Sequence, residues 1–142
     1  RAEEVAAAKK RAEGEAKAIA KSIGSDDYKG IAEAIALVDM SSDYTGWVKW
    51  MGDNGQIKWL GKKKDGYRDG PETSWYSNGQ KQSERTYKDG KIWTVVAWKP
   101  NGEKCPHTNL VDGNGVRVVY NEDGTERRRY TYKDGVKVED SE

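Results

Sequence analysis

The stretch Gly70-Pro71-Glu72-Thr73-Ser74-Trp75-Tyr76-Ser77-Asn78-Gly79-Gln80-Lys81-Gln82-Ser83-Glu84-Arg85-Thr86-Tyr87-Lys88-Asp89-Gly90-Lys91 decides the fold. It holds two turn pairs, Asn78-Gly79 and Asp89-Gly90, 11 residues apart. Such pairs between short alternating runs are strong hairpin signals, because a two-residue type I′ turn needs positive φ at both central positions. The stretch therefore reads as strand, tight turn, strand, tight turn.

Working outward, the same unit recurs. The first-turn glycines Gly55, Gly79, Gly102 and Gly124 are spaced by 24, 23 and 22 residues. The second-turn glycines Gly66, Gly90, Gly113 and Gly135 each follow an Asp and each lie 11 residues after their partners. Trp75, Trp98 and Tyr120 stand four residues before a first-turn glycine, and Trp50 stands five before Gly55. Tyr87, Leu110 and Tyr132 stand three before a second-turn glycine. The unit opens on Gly46, Gly70 or Gly115, with Trp93 in that place in the third copy. The repeated positions Trp50, Trp75, Trp98, Tyr120, Tyr87 and Tyr132 are the expected core aromatics. One such hairpin is not stable alone in water. Stacked hairpins bury a shared aromatic face, and the ends of the stack need caps.

These residues resemble the bacterial variant of the MORN repeat. The likeness rests on residues 70–81 and on Glu84-Arg85-Thr86-Tyr87-Lys88-Asp89-Gly90-Lys91, and extends over residues 44–138. It implies four units at about 44–69, 70–92, 93–114 and 115–138, in a single-layer antiparallel sheet. It implies contacts with proteins, in some relatives with lipid, and no established catalysis; bacterial proteins of this kind are often antitoxin-like. The third unit departs from the pattern, with Cys105-Pro106-His107 where its polar strand should run. The first departs with Lys62-Lys63-Lys64 where an aromatic should stand.

Residues 1–43 read differently. Ala2–Ile23 is rich in helix formers, with Val5, Ala8, Ala12, Ala16, Ile19 and Ile23 along one stripe. Gly24 is the expected stop, and Ser25 the expected cap of a second helix presenting Ile31, Ile35 and Val38 and ending near residues 39–42. The stripes are expected to pack on the rest of the chain, capping the hairpin stack or lying across its apolar face; the alternative is that the first helix meets a partner helix. The fold class is thus α+β, mainly β, with a charged tail at residues 139–142.

Composition narrows the function. The chain has 142 residues, 35% charged and 35% hydrophobic, with mean hydropathy −1.03, six tryptophans and eight tyrosines. Low hydropathy with many aromatics points to a thin, ordered fold. A net charge of +1 gives no global call for nucleic acid, which is not expected as a partner. No apolar run approaches the length of a membrane span, and contact with a membrane surface has only weak support. The start at Arg1 is a hint of a removed leader and of export to the periplasm or cell surface; the sequence leaves the location open.

No catalytic residues, metal ligands or cofactors are expected. Cys105 and His107 are the sole Cys and His, two ligands where zinc needs three or four; a strand made irregular by Pro106 accounts for them. The four Asp-Gly pairs are explained by turn chemistry rather than by calcium loops. The runs at residues 62–64 and 127–129 read as solvated faces. Trp47, Trp59 and Trp93 lie off the repeated aromatic position and are the expected protein-contact aromatics. The expected function is a non-catalytic protein-binding or assembly module, partnered by another protein or by itself. The alternative is an antitoxin or immunity protein that neutralises a toxin by direct binding.

Overall fold

The computed structural model describes residues 2–36 and 44–138. Helices α1 (Ala2–Ile23) and α2 (Tyr28–Ala36) come first. Eight strands follow: β1 (Gly46–Met51), β2 (Ile57–Lys64), β3 (Tyr67–Trp75), β4 (Lys81–Lys88), β5 (Lys91–Ala97), β6 (Gly115–Tyr120), β7 (Glu126–Lys133) and β8 (Val136–Val138). All pairings are antiparallel and between sequence neighbours. The chain is therefore mainly β, with its helices at the start. Val38, the expected end of α2 near residues 39–42, and the tail at 139–142 lie outside the described residues.

The expected single sheet is two, one of β1 to β5 and one of β6 to β8. They part at the unit that departs from the repeat. Residues 103–111 form only isolated bridges, Trp98 with Lys104 and Val111 with Asn114. Pro106 has no N–H to give to a ladder, so a strand cannot run through it. The segment still ties the sheets together. Cys105 N–H donates to Ala97 O at 2.8 Å, Val95 N–H to Leu110 O at 3.1 Å, and Asn109 N–H to Val116 O at 2.9 Å.

The two turn types differ, which corrects the expectation that both are type I′. The Asp-Gly turns do have positive φ at both residues, as in Asp89 (49°) and Gly90 (82°). In the Asn-Gly turns only the glycine has positive φ. Gly79 N–H donates to Tyr76 O at 3.0 Å and Tyr76 N–H to Gln80 O at 2.8 Å, closing a type I turn with a glycine bulge. The register slips there, between Ser74 and Trp75. The cause is side-chain chemistry: Asn78 Oδ1 accepts the Gln80 N–H at 2.9 Å, and Asn54, Asn101 and Asp123 do the same two residues on. The Asp-Gly turns are held from outside the hairpin. Thr45 Oγ1, Asp69 Oδ1 and Asn114 Oδ1 accept the N–H groups of Asp65, Asp89 and Asp134. Ile92, ahead of Trp93, has no such acceptor to offer.

The helices are closed and anchored by short-range bonds. Gly24, at φ 72°, ends α1, with Ser25 N–H reaching Ala20 O at 2.9 Å and Gly24 N–H directed at Lys21 O. Asp27, not Ser25, caps α2: its Oδ1 accepts the Gly30 N–H at 3.2 Å. Its Oδ2 accepts the Trp47 indole N–H at 2.9 Å, tying the helix pair to β1. Ala12, Ala16 and Ala20 are buried on α1, one helical turn apart, against Ile31, Ala32 and Ala34 and the sheet residues Trp47 and Leu60. Small side chains on the stripe let α1 approach closely. Two smaller clusters lie nearer the junction. One gathers Tyr76, Ala97, Cys105, Val118 and Tyr120, the other Tyr87, Ile92, Val95 and Leu110.

Candidate functional site

Residues opposite one another in register share a face of the sheet. One row on the five-stranded sheet is Val48, Gly61, Glu72, Arg85 and Val95, and the next is Trp50, Trp59, Ser74, Ser83 and Ala97. The opposite face carries Lys49, Leu60 and Thr73 in one row, with Trp47 in the next. The helices pack on that second face through Trp47 and Leu60, leaving the Trp50 face uncovered at its β1 end.

This placement corrects two expectations. Trp47, expected as a contact aromatic, is 4% exposed and belongs to the core under the helices. Trp50, expected as a repeat-core aromatic, is 65% exposed. Trp50 stands five residues before its turn glycine where Trp75 stands four, so the two side chains project from opposite faces. Trp75 packs against the helix core, and Tyr120, Tyr87 and Tyr132 join the two smaller clusters. Trp98 is half-buried, with Lys81 Nζ 5.9 Å from its ring centre. Trp59 and Trp93 are half-buried as well, and Lys88 Nζ sits 4.6 Å from the Trp93 ring.

In the row beside Trp50 and Trp59, on the same face, lies a buried polar network that sequence reading missed. Glu72 and Arg85, directly opposite on β3 and β4, are 2% and 4% exposed. Arg85 Nη2 lies 3.0 Å from Glu72 Oε1 and donates to Ser74 Oγ at 2.9 Å, while Nη1 donates to Ser83 Oγ. The Trp59 indole N–H donates to the same Glu72 oxygen. Burial, followed by the nearby Arg117 charge, pulls the Arg85 guanidinium below its ordinary value, and Glu72 pulls it back. Gly61 makes the arrangement possible: a Cβ there would come within 3.0 Å of the Trp59 ring and 2.9 Å of Glu72 Cγ. The indole thus lies flat over the glycine, its N–H held by the carboxylate. The signal for this pair was available: counting back from the Asn78-Gly79 turn places Glu72 opposite Arg85.

Above the network is an open groove of about 460 Å³, with Val48, Trp50, Trp59 and Ser74 in its wall. Four cations also line it, Lys49, Lys58, Lys63 and Arg68. Lys49 is committed to the backbone carbonyl of Ile35 at the end of α2. Arg68 lies against the Tyr87 ring, and its Nε is 3.7 Å from Glu72 Oε2. A second, larger cleft of about 620 Å³ runs between α1 and the first turns, past Ile19, Ile57, Trp75 and Tyr76.

Cys105 and His107 do not converge. His107 is exposed, whereas Cys105 is buried, its Sγ 3.1 Å from the Tyr120 hydroxyl and 3.3 Å from that of Thr108. Burial pushes the thiol up, but hydrogen bonds from Thr108, Tyr120 and the backbone at His107 and Thr108 outweigh it and hold the thiol below its ordinary value. Burial and the bond to Cys105 push Tyr120 up to about 12. Thr108 Oγ1 also accepts the Val118 N–H at 3.1 Å, so this cluster acts as the joint between the sheets. Among the described residues no group of three or more His, Cys, Asp or Glu is placed to hold a metal ion, and no helix is long and apolar enough to cross a membrane. Comparison with family models, curated proteins and solved structures returned no match.

Proposed function

We propose that this chain is a non-catalytic protein-binding module built of MORN-like hairpin repeats, and that it binds through the Trp50 face of the five-stranded sheet. The observation that carries the reading is the exposed Trp50 beside half-buried Trp59, over a floor locked by the Glu72–Arg85 network. A large aromatic left in water at 65% exposure forgoes about 1.5–3 kcal/mol of burial. Exposed aromatics beside a fixed neighbour are frequent anchors of protein interfaces. The repeat assignment draws support from the turns, in which the same Asp-Gly geometry and the same Asn or Asp side-chain bond recur in each unit. The test is native capture of the full chain from its source cells at low salt, followed by mass spectrometry and sizing. A protein that co-elutes in fixed ratio is the expected result. A chain that elutes alone across these conditions overturns the reading.

A further inference from the structure

The groove over β1 and β2 has a charge pattern as well as exposed rings. Its lining holds Lys58, Lys63 and Arg68 besides the committed Lys49, and no carboxylate. Glu72, on the next strand, is buried and paired with Arg85. Trp50 and Trp59 are directly opposite across β1 and β2. Trp59 is pinned by Glu72 over Gly61, while Trp50 stands free. The groove thus has one fixed aromatic wall, one free indole and a lining whose charges are of a single sign.

We propose that this groove takes an acidic segment of a partner polypeptide. An apolar or aromatic side chain of the segment seats beside the two indoles, and its flanking carboxylates pair with Lys58 and Lys63, Arg68 being held by Glu72 and Tyr87. The proposal rests on the binding-module reading and names the partner's chemistry. A rim of one sign steers an oppositely charged partner and rejects a like-charged one. β1 ends the strand order of its sheet and has no partner strand on its outer side among the described residues, so an extended segment can run beside it.

A nucleic-acid strand would also answer to rings and cations, but the surface favours the peptide. A single strand needs a basic track several nucleotides long. Here the cationic lining stops at β3. Farther along the same face come Ser83, Val95 and Ala97, with Arg85 buried in its ion pair. A peptide needs only one anchor slot and a polar rim.

The experiment titrates the full chain with a short tryptophan-free peptide of alternating glutamate and phenylalanine, following the chain's own tryptophan emission. The comparison ligands are the same peptide with glutamine for glutamate, and an oligothymidylate. The variants are Trp50→Ala and the double variant Lys58→Glu/Lys63→Glu, each checked for native circular dichroism; Trp50 and Lys58 are exposed and Lys63 is half-buried, and none of the three belongs to a core cluster. The expected result is saturable binding of the acidic peptide, weakened by salt and weakened about tenfold or more in each variant. Equal binding of the glutamine peptide, unchanged binding by the variants, or tighter binding of oligothymidylate overturns the proposal. A natural partner captured equally by wild type and by the double variant also overturns it, while leaving the binding-module reading standing.

Discussion

The two sheets are written in similar repeat sequence yet are held in different ways. The five-stranded sheet has helices on one face and, under the other, a buried ion pair with its serines. Among the described residues the three-stranded sheet has neither. On β7, residues Glu126 to Arg129 are all exposed, as is the whole of β8. It is fixed mainly through β6, where Val118 and Tyr120 meet Ala97 and Cys105 across the joint, and through Tyr132, which packs on the Leu110 cluster. A repeat fixes the local turn chemistry, and the neighbours of each unit decide how firmly it is held.

The largest expected break in this comparison is at Arg85. Arg85→Ala leaves Glu72 charged and buried with only the long contact to Arg68 and the Trp59 N–H, and should cost about 3 kcal/mol of stability in urea denaturation. Glu72→Leu with Arg85→Met should recover most of it, because the pair is incompletely bonded: Glu72 Oε2 and Arg85 Nε have no hydrogen-bond partner. A paired variant as unstable as Arg85→Ala would show that the network stabilises in its own right.

Next comes Leu110, fully buried at the joint. Leu110→Ala should cost about 3 kcal/mol by the usual cavity effect. It should also separate the sheets in hydrogen exchange, speeding the amides of β6 to β8 while β2 to β4 stay slow. Uniform acceleration would mean that the sheets unfold as one unit.

A smaller effect is expected at Asp27. Asp27→Ala removes the α2 cap and the acceptor of the Trp47 indole, for about 1–2 kcal/mol. Loss of helical circular dichroism before loss of tryptophan burial would show that the helices detach from the sheet first.

The smallest effect is confined to alkaline pH. Tyr76 and Tyr120 are each pushed up to about 12, chiefly by burial, from 10.0 in the unfolded chain. The fold prefers the protonated phenols, so their contribution is whole below pH 10 and is lost as pH rises through about 12. Tyrosinate absorbance should show these two titrating late and together with unfolding. Titration of all tyrosines near their ordinary value, with the fold intact, would contradict the packed joint.

Much of this was legible in the sequence. Turn spacing located the hairpins, and Pro106 with the missing leading glycine marked the unit where the ladder breaks. The alanine stripe and Gly24 placed and ended α1. What escaped was facial assignment. Trp50 stands five residues before Gly55 and Trp47 eight, so Trp47 is the one that shares the parity of Trp75, four before Gly79. An offset of one residue reverses the face, and it concealed the exposure of Trp50 and the burial of Trp47. Glu72 and Arg85 went unremarked because each has its partner on the next strand rather than nearby in sequence.

The most direct test of the central claim compares the exposed apolar residues of the two sheets. Trp50 is 65% exposed on the first, and Val136 and Val138 are 55% and 44% exposed on the second. Native capture should be run in parallel with wild type, Trp50→Ala and Val136→Ser/Val138→Ser. Loss of the partner with Trp50→Ala alone is the predicted result. Retention by Trp50→Ala and loss by the valine variant would place binding on the other sheet and contradict the account.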